Sequence, residues 1–162
     1  MKKCVFAGTF DPPTIGHKRV VENCLKMFDE VVVAILINPE KSALFTVEER
    51  ERLLQKLFEK EKGVRVLSFD GAAVDLLERE NTPFYVRGVR NTVDFEYENA
   101  NFFANKKLKG DIVTVYLPAE QDELHISSSL VKNSIKFKKD FSDYIPKEIY
   151  KEIEKLLKDK HV

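Results

Sequence analysis

The chain has 162 residues, and its 27 Lys and Arg balance 27 Asp and Glu, so the formal net charge is zero. This balance excludes the overall basic field that nucleic-acid-binding proteins use, so any anion must be held by a local cluster of donors. The longest apolar run, 31–37, is far too short to span a bilayer. A strand is predicted almost from the first residue, so no signal peptide is expected. We therefore predict one domain, 1–162, in a cytoplasmic protein without nucleic-acid or membrane partners.

Strand-like and helix-like stretches alternate along the chain, which is typical of βα units and a mostly parallel sheet. The predicted strands are 3–8, 30–37, 64–69, 83–87 and 111–117. The predicted helices are 17–28, 46–61, 72–80, 93–109, 127–137 and 146–158. We therefore expect an α/β fold with a mostly five-stranded parallel sheet and a C-terminal helix.

Local signals mark several helix ends. Thr46 and Glu49 have the spacing of a capping box at the start of the second helix. Gly63 and Gly110 each follow a lysine-containing stretch and are expected to terminate the preceding helices. Pro146 suits the first position of the last helix.

The last helix carries an apolar stripe at helical spacing, made by Ile149, Ile153, Leu156 and Leu157. The stripe packs either on the domain itself or on a neighbouring subunit, and the sequence does not decide between them. Cys4 and Cys24 fall in a predicted strand and on a predicted helix face. We expect both to be small core residues with free thiols.

The run 8–17, GTFDPPTIGH, joins the first strand to the first helix. In an open parallel sheet, this junction lies at the carboxyl end of the strand, where ligands bind. Helix N-termini carry free N–H groups and a positive partial charge. A phosphate is therefore the expected ligand of this turn.

The other predicted strands also end in polar residues. Their ends bring His17, Lys41, Arg87, Arg90 and a serine-capped helix start at 127–129 to one edge of the sheet. Each of these groups can donate hydrogen bonds to phosphate oxygens. The combination predicts a phosphate-binding edge more strongly than any single residue does.

Structural roles remain open for the residues taken singly. His17 suits a histidine that caps its own helix, and Lys41 suits a solvated lysine before a helix. The serines at 127–129 suit plain N-caps. That role is compatible with phosphate binding at the same helix start.

The charged residues of the fourth strand end also have a structural alternative. Arg87 and Arg90 suit surface charges that pair with Asp94 or Glu96. Glu98 suits an ordinary carboxylate on a helix surface. Against this reading, the two arginines flank a glycine directly after an apolar strand, which favours function.

The motifs that are missing from the sequence limit the types of reaction that the protein can catalyse. The three histidines, His17, His125 and His161, have no metal-ligand spacing. A P-loop, a dinucleotide-binding glycine motif and an arguable nucleophile are also missing. This pattern favours phosphoryl or nucleotidyl transfer, in which catalysis is mostly positioning and charge neutralisation around a substrate-bound Mg²⁺.

Four motifs resemble a known family. The turn at 8–12 with 14–17 resembles the T/H-x-G-H signature of the nucleotidyltransferase superfamily. The resemblance narrows through 38–41 with 44–50, 86–90 with 94–98, and 126–132. Together these motifs resemble the bacterial phosphopantetheine adenylyltransferases, nearly from end to end of the chain.

The resemblance implies a Rossmann-like domain with helices on both faces, assembled as a homohexamer. It implies transfer of the adenylyl group of ATP to 4′-phosphopantetheine, with Mg²⁺ carried by the ATP phosphates. The products would be dephospho-coenzyme A and pyrophosphate. Coenzyme A, the end product, is expected to compete for the same site.

The motifs also imply site residues. Thr9, Lys41 and Arg87 would hold the acceptor phosphate, and Ala72 and Ala73 would line the pantetheine arm. His17, Lys41 and Arg90 would be the catalytic donors. The residues that would hold ATP are Thr9, Phe10, His17, Gly88, Val89, Arg90, Glu98, Glu123, Leu124, His125, Ile126, Ser127, Ser128 and Ser129.

Three departures from the family pattern stand out. The Pro12–Ile15 stretch resembles nicotinate-mononucleotide adenylyltransferases, although those usually carry a histidine at the position of Thr14. The stretch 122–125 lacks the aromatic residues common there, which leaves its adenine contacts open. Ala72 and Ala73 are smaller than the usual apolar pair, which is expected to loosen the pantetheine channel.

Other functions stay as alternatives. One is a small nucleotidyltransferase acting on nicotinate mononucleotide or on a cytidylyl acceptor. Another is a tRNA synthetase fragment, although the chain is short and has no net positive charge. The last is a non-catalytic nucleotide-binding protein of the same fold. His17, Lys41 and Arg90 argue against it, because a pure binder needs no transition-state donors.

Overall fold

Five parallel strands form the sheet of the computed structural model, which describes residues 1–39 and 42–162. The strands are β1 (Lys3–Gly8), β2 (Glu30–Leu36), β3 (Val64–Phe69), β4 (Phe84–Val89) and β5 (Val113–Pro118). The helices are α1 (Ile15–Cys24), α2 (Val47–Leu57), α3 (Ala73–Arg79), α4 (Thr92–Leu108), α5 (Ser128–Lys136) and α6 (Lys147–Asp159). The predicted order of strands and helices is confirmed.

The strand order, β3-β2-β1-β4-β5, places the first strand at the centre. Along the chain, β2 and β3 add to one side of β1. The connection after β3 then returns to β1, and β4 and β5 add to its other side. The direction of winding therefore reverses between β1 and β4. In open α/β sheets, the ligand crevice lies at such a switch point.

The central pair of strands diverges towards this crevice. β1 pairs with β2 from Lys3 opposite Glu30 to Gly8 opposite Ile35. By contrast, β1 pairs with β4 at Val5 opposite Tyr85 and Phe6 opposite Val86. Beyond these residues the two strands separate, which opens a cleft at their carboxyl ends.

Alternate strand residues feed two hydrophobic layers, one on each face of the sheet. The larger layer joins Cys4, Phe6 and Val33 to apolar residues of α1, α2, α5 and α6. The smaller layer joins Val5, Val32 and neighbouring strand residues to α3. Helices therefore cover both faces, as expected for a Rossmann-like domain.

The apolar stripe of α6 packs on the domain itself, since Ile149, Ile153, Leu156 and Leu157 belong to the larger core layer. This settles the alternative that the sequence left open. Both cysteines are buried and free, as predicted.

The helix-end predictions were mixed. The capping box of Thr46 and Glu49 is confirmed, and Gly110 directly follows Lys109, the C-cap of α4. The prediction that Gly63 terminates α2 is wrong, because α2 ends at Leu57 and turns with i→i−3 hydrogen bonds follow. A Cβ at Gly63 would lie 2.9 Å from the carbonyl oxygen of Asp29, so close backbone approach explains this glycine.

Two other helix boundaries also differ from the prediction. α1 ends at Cys24 rather than at 28, and turns with i→i−3 hydrogen bonds again replace the last helical turn. Pro146 is the N-cap of α6 rather than its first helical residue. Within the described residues, none of the helices combines the length and apolar character needed to cross a membrane.

Candidate active site

A cleft of about 330 Å³ opens at the carboxyl ends of β1 and β4, where the two strands diverge. The starts of α1 and α5 form its other walls. Predicted site residues that line the cleft are Thr9, Phe10, His17, Arg87, Gly88, Val89, Arg90, Glu98, Glu123, Ile126, Ser127, Ser128 and Ser129. The residues predicted at the ends of β1 and β4 and at the start of α5 therefore lie together at one edge of the sheet.

Some predicted site residues lie elsewhere. Within the ranges 1–39 and 42–162, the cleft lining does not include Ala72, Ala73, Leu124 or His125. Ala73 packs instead against the smaller core layer, and the ring of His125 contacts that of Tyr144. Lys41 lies outside the described residues, so its predicted role stays a prediction.

The turn after β1 is built around Phe10. Its backbone has a φ of 52°, in the left-handed region that a bulky side chain rarely adopts. The ring is buried and makes edge contacts with Phe6 and His17, at centroid distances of 5.4 and 4.8 Å. These contacts hold the turn in its unusual conformation and fix one face of the His17 ring.

His17 closes a capping box at the start of α1. Its Nδ1 accepts a hydrogen bond from the backbone N–H of Thr14 at 3.0 Å, and the Thr14 side chain caps the His17 N–H. Because a backbone N–H can only donate, Nδ1 carries no hydrogen. The hydrogen of the neutral ring therefore resides on Nε2, which leaves His17 with one donor for a ligand. The capping role and a functional role coexist in one side chain.

Burial, together with the positive charges of Arg90 and Arg87, lowers the pKa of His17 to about 4. We expect the ring carbons of His17, followed by NMR, to titrate near pH 4. In the urea-unfolded chain they should titrate near the usual 6.5. Because the unfolded chain binds this proton more tightly, the contribution of His17 to stability falls as the pH drops from 6.5 to 4. A native midpoint near 6.5 would contradict this environment.

Arg87 is held on three sides. Its Nε and Nη2 donate to the two carboxylate oxygens of Glu98 at 2.8 and 2.7 Å. Its Nη1 donates to the carbonyl of Ala7 and to the hydroxyl of Tyr85. The bond to Ala7 ties β4 to β1 just where their ladder has stopped. Arg87 thus fixes the cleft and contributes positive charge to it, with most of its donors engaged.

Arg90 is held more loosely. It pairs with Asp94 one helical turn later, through Nε at 3.0 Å, and it reaches the carbonyl of Ile126 at 3.4 Å. The structural alternative of an Arg90–Asp94 pair is therefore confirmed. The two side chains are 37% and 24% exposed, and ion pairs accessible to solvent contribute little stability, so Arg90 can exchange its carboxylate for a ligand phosphate.

The start of α5 contributes backbone donors. The side chain of Ser127 caps the N–H of Leu130 at 3.1 Å, and the hydroxyl of Ser128 donates to the carbonyl of Pro12 at 2.8 Å. The second bond ties the helix start to the turn after β1. The first N–H groups of a helix have no intrahelical acceptor. Those of Ser128 and Ser129 are therefore the natural anion site of this wall.

Asp11 and Arg50 hold the loops behind the site. Asp11 is 1% exposed and accepts the backbone N–H groups of Leu44 and Phe45, both at 2.9 Å. Arg50 is also buried and donates to the carbonyls of Thr9 and Phe45 at 2.8 and 3.0 Å. Sequence reasoning assigned neither role, because both depend on contacts between distant segments.

The sequence prediction also missed the contribution of α1 to the cleft. Arg19, Val20 and Asn23 line it beside Gly16. A helical periodicity of three to four residues from Gly16 places all of them on one face, and this is the signal that would have found them.

The acidic side chains of the cleft are each paired with an arginine: Glu98 with Arg87, Asp94 with Arg90, and Glu123 with Arg19. Among the residues that the structure describes, no group of three or more His, Cys, Asp or Glu side chains is placed to hold a metal ion.

Comparisons with known proteins identify the family of this chain. Residues 5–134 match the family model described as Cytidylyltransferase-like. A phosphopantetheine adenylyltransferase from Flavobacterium psychrophilum is 36% identical over 92% of this chain and 98% of its own. Proteins of the same name from Bacteroides thetaiotaomicron and Streptococcus sanguinis are 39% and 38% identical, over 90% and 97% of this chain and 96% of each relative.

A solved structure shares the fold. A proposed nicotinate-nucleotide adenylyltransferase from Vibrio parahaemolyticus superposes with a TM-score of 0.72, covering 99% of this chain and 94% of that one. Its sequence is 24% identical, so this likeness concerns the fold alone. The family model and the curated relatives carry the assignment further: the chain belongs to the phosphopantetheine adenylyltransferase family of Cytidylyltransferase-like nucleotidyltransferases.

Proposed function

We propose that this protein transfers the adenylyl group of ATP to 4′-phosphopantetheine, giving dephospho-coenzyme A and pyrophosphate. One observation carries the proposal. The Nε2–H of His17, the guanidinium of Arg90 and the start of α5 converge on one cleft at the switch point of the sheet. Family membership supplies the acceptor. The reaction belongs to coenzyme A biosynthesis, and we place it in the cytoplasm.

The transfer needs donors rather than a protein nucleophile. The phosphate of the acceptor attacks the α-phosphorus of ATP, and the bond to the pyrophosphate leaving group breaks. His17, neutral at physiological pH, donates Nε2–H to a non-bridging oxygen of the α-phosphate. Arg90 leaves Asp94 and neutralises charge on the triphosphate. Mg²⁺ bound to the ATP phosphates would supply further charge neutralisation.

The acceptor side of the cleft involves a different set of residues. Thr9 and Arg87 both line the cleft, and we assign them to the side that receives the acceptor phosphate. Arg87 is largely committed to Glu98, Ala7 and Tyr85, so we assign it mainly the electrostatic field and the shape of that wall. The parts assigned to Lys41 and Ala73 rest on the resemblance.

Self-association as a homohexamer is part of the proposal. Large apolar side chains are exposed along α4, among them Val93, Tyr97, Phe103 and Leu108, each with more than half of its surface accessible. Contiguous exposed apolar surface is typical of protein interfaces. We further propose that coenzyme A, which shares the phosphopantetheine portion of the acceptor, competes for the same cleft.

The test is the release of pyrophosphate from purified protein. We expect strong release with ATP and 4′-phosphopantetheine together, weak release with CTP in place of ATP, and little with either substrate alone. Nicotinate mononucleotide in place of phosphopantetheine should not support the reaction. Pyrophosphate release with nicotinate mononucleotide as strong as that with phosphopantetheine would favour a nicotinate-mononucleotide adenylyltransferase. ATP binding without any release would favour a non-catalytic nucleotide-binding protein.

A further inference from the structure

Arg19 lies on α1 and has no role in the proposed reaction as described above. It lies on the helix face that lines the cleft, between Gly16 and Asn23. Its Nη2 donates to Oε1 of Glu123 at 3.0 Å. The two residues are 104 positions apart in the chain, so this contact joins α1 to the short 3₁₀ turn Gln121–Glu123.

The turn belongs to the segment 119–126, which connects β5 to α5 and contributes Ala119, Glu123 and Ile126 to the lining of the cleft. This segment lacks the aromatic residues that the family resemblance led us to expect at 122–125. The 3₁₀ turn has no side-chain cap at its N-terminus. A short turn without a cap depends on the few contacts that tie its residues to their surroundings.

Three polar contacts anchor the segment to the sheet and to α1. The N–H of Ala119 donates to the carbonyl of Val89 at 2.9 Å at one end of the segment. Arg90 reaches the carbonyl of Ile126 at 3.4 Å at the other end. The third contact, between Arg19 and Glu123, holds the middle. Because Arg90 is the residue proposed to turn to the triphosphate, the Arg19 contact is the polar side-chain contact that remains when ATP binds.

The environment of this ion pair differs from that of a surface pair. The side chain of Glu123 is only 11% exposed, whereas that of Arg19 is 43% exposed. Nε of Arg19 and Oε2 of Glu123 are both buried and lack a hydrogen-bond partner within the described chain. A buried carboxylate held by one hydrogen bond contributes little net stability. A role in stability alone therefore does not account for the pair.

We infer that Arg19 is a positioning residue, which holds the segment 119–126 over the nucleotide end of the cleft through Glu123. This inference rests on the proposed function, because it assigns the segment to the ATP side of that reaction. Arg19 acts on ATP affinity by keeping Glu123 and Ile126 in their bound arrangement before the nucleotide arrives. Such preorganisation reduces the ordering cost of binding.

The test is calorimetric titration of ATP and, separately, of 4′-phosphopantetheine into wild type and variants. Arg19→Ala should weaken ATP binding about tenfold and leave phosphopantetheine binding within about twofold, since a tenfold change corresponds to ~1.4 kcal/mol. Arg19→Lys should recover most of the affinity. Glu123→Gln should weaken ATP binding similarly, and adding Arg19→Ala to it should cost little more, because the two residues act through one contact.

Two matched controls separate this role from a general effect on α1. Lys18→Ala removes the neighbouring cation, which pairs with Glu148 of α6 at 2.8 Å and does not reach the segment. Glu22→Ala removes the second partner of Arg19, which lies at 3.2 Å. Both variants should bind ATP as wild type does. Hydrogen exchange at 119–126 in the ligand-free protein should accelerate in Arg19→Ala and not in either control.

The outcomes distinguish this inference from the proposed function. ATP binding by Arg19→Ala within twofold of wild type would overturn the role of Arg19 while leaving the reaction untouched. Equal weakening by Lys18→Ala or Glu22→Ala would also overturn it, since the effect would then come from α1 as a whole. Wild-type protein that binds neither ATP nor phosphopantetheine would instead overturn the proposed function.

Discussion

His17→Asn is expected to lose about 10²–10³-fold in kcat, or ~2.7–4 kcal/mol, while it folds normally and binds ATP within about tenfold. The asparagine Oδ1 takes the place of Nδ1 and can still accept the N–H of Thr14, so the cap of α1 is preserved. The Nε2–H donor is lost. Charge shifts onto the non-bridging oxygens as the α-phosphorus becomes pentavalent, so a donor aimed there stabilises the transition state more than bound ATP.

His17→Gln is the matched comparison, because its longer amide can place a nitrogen near the position of Nε2. It also stands at the third helical position, where Glu49 accepts the N–H of Thr46 in the capping box of α2. We expect this variant to keep the cap of α1 and to retain more turnover than His17→Asn. Measuring kcat, the Kd of ATP and Tm on both variants separates the donor role of the ring from its capping role. A purely structural histidine would leave both variants within about fivefold of wild type in kcat.

Asp11→Ala is expected to lower the free energy of unfolding by about 3 kcal/mol. The substitution strips the acceptor from two backbone N–H groups, of Leu44 and Phe45, and hydrogen bonds to charged groups contribute ~1.5–3 kcal/mol each. For a chain of this size, the corresponding fall in Tm is roughly 6–12 °C. Chemical denaturation and calorimetry both measure it.

Asp140→Ala is the control for this experiment, because Asp140 also accepts a backbone N–H, from Ser142, but is fully exposed. Its Tm should stay close to that of wild type. An equally small change in Asp11→Ala would mean that the loop carrying Leu44 and Phe45 is held by other contacts.

The architecture and the place of the cleft were predictable because they follow from periodicity. Apolar runs of strand length, helical stripes and the glycine that ends β1 locate the elements, and parallel strands bring all carboxyl ends to one edge. His17, Arg90 and the serines at 127–129 therefore came together as expected. The structural alternatives for His17 and Arg90 were also right, since one caps its helix and the other pairs with Asp94.

Side-chain partners across long sequence distances were not predictable. From the sequence, Asp94 or Glu96 was the expected partner of Arg87. In the structure, Arg87 of β4 pairs instead with Glu98 of α4. The ion pair of Arg19 with Glu123 and the hydrogen bond from the Leu44 N–H to Asp11 depend on loop conformations, which no local sequence pattern predicts. The periodicity of apolar residues predicts where helices and strands lie, whereas side-chain rotamers and loop conformations determine these contacts.

The brief pairing of β1 with β4 has a consequence for how the chain folds. β1, β2 and β3 join through successive crossovers, whereas Ala7 and Arg87 meet across 80 residues. Closing so long a loop costs chain entropy before the few contacts at Val5 and Phe6 repay it. The nucleotide cleft lies on this seam. A folding intermediate with only β1, β2 and β3 in place would contain the GTFDPPTIGH turn but not the cleft. Its β1 would be an unpaired edge strand, which can pair with another chain.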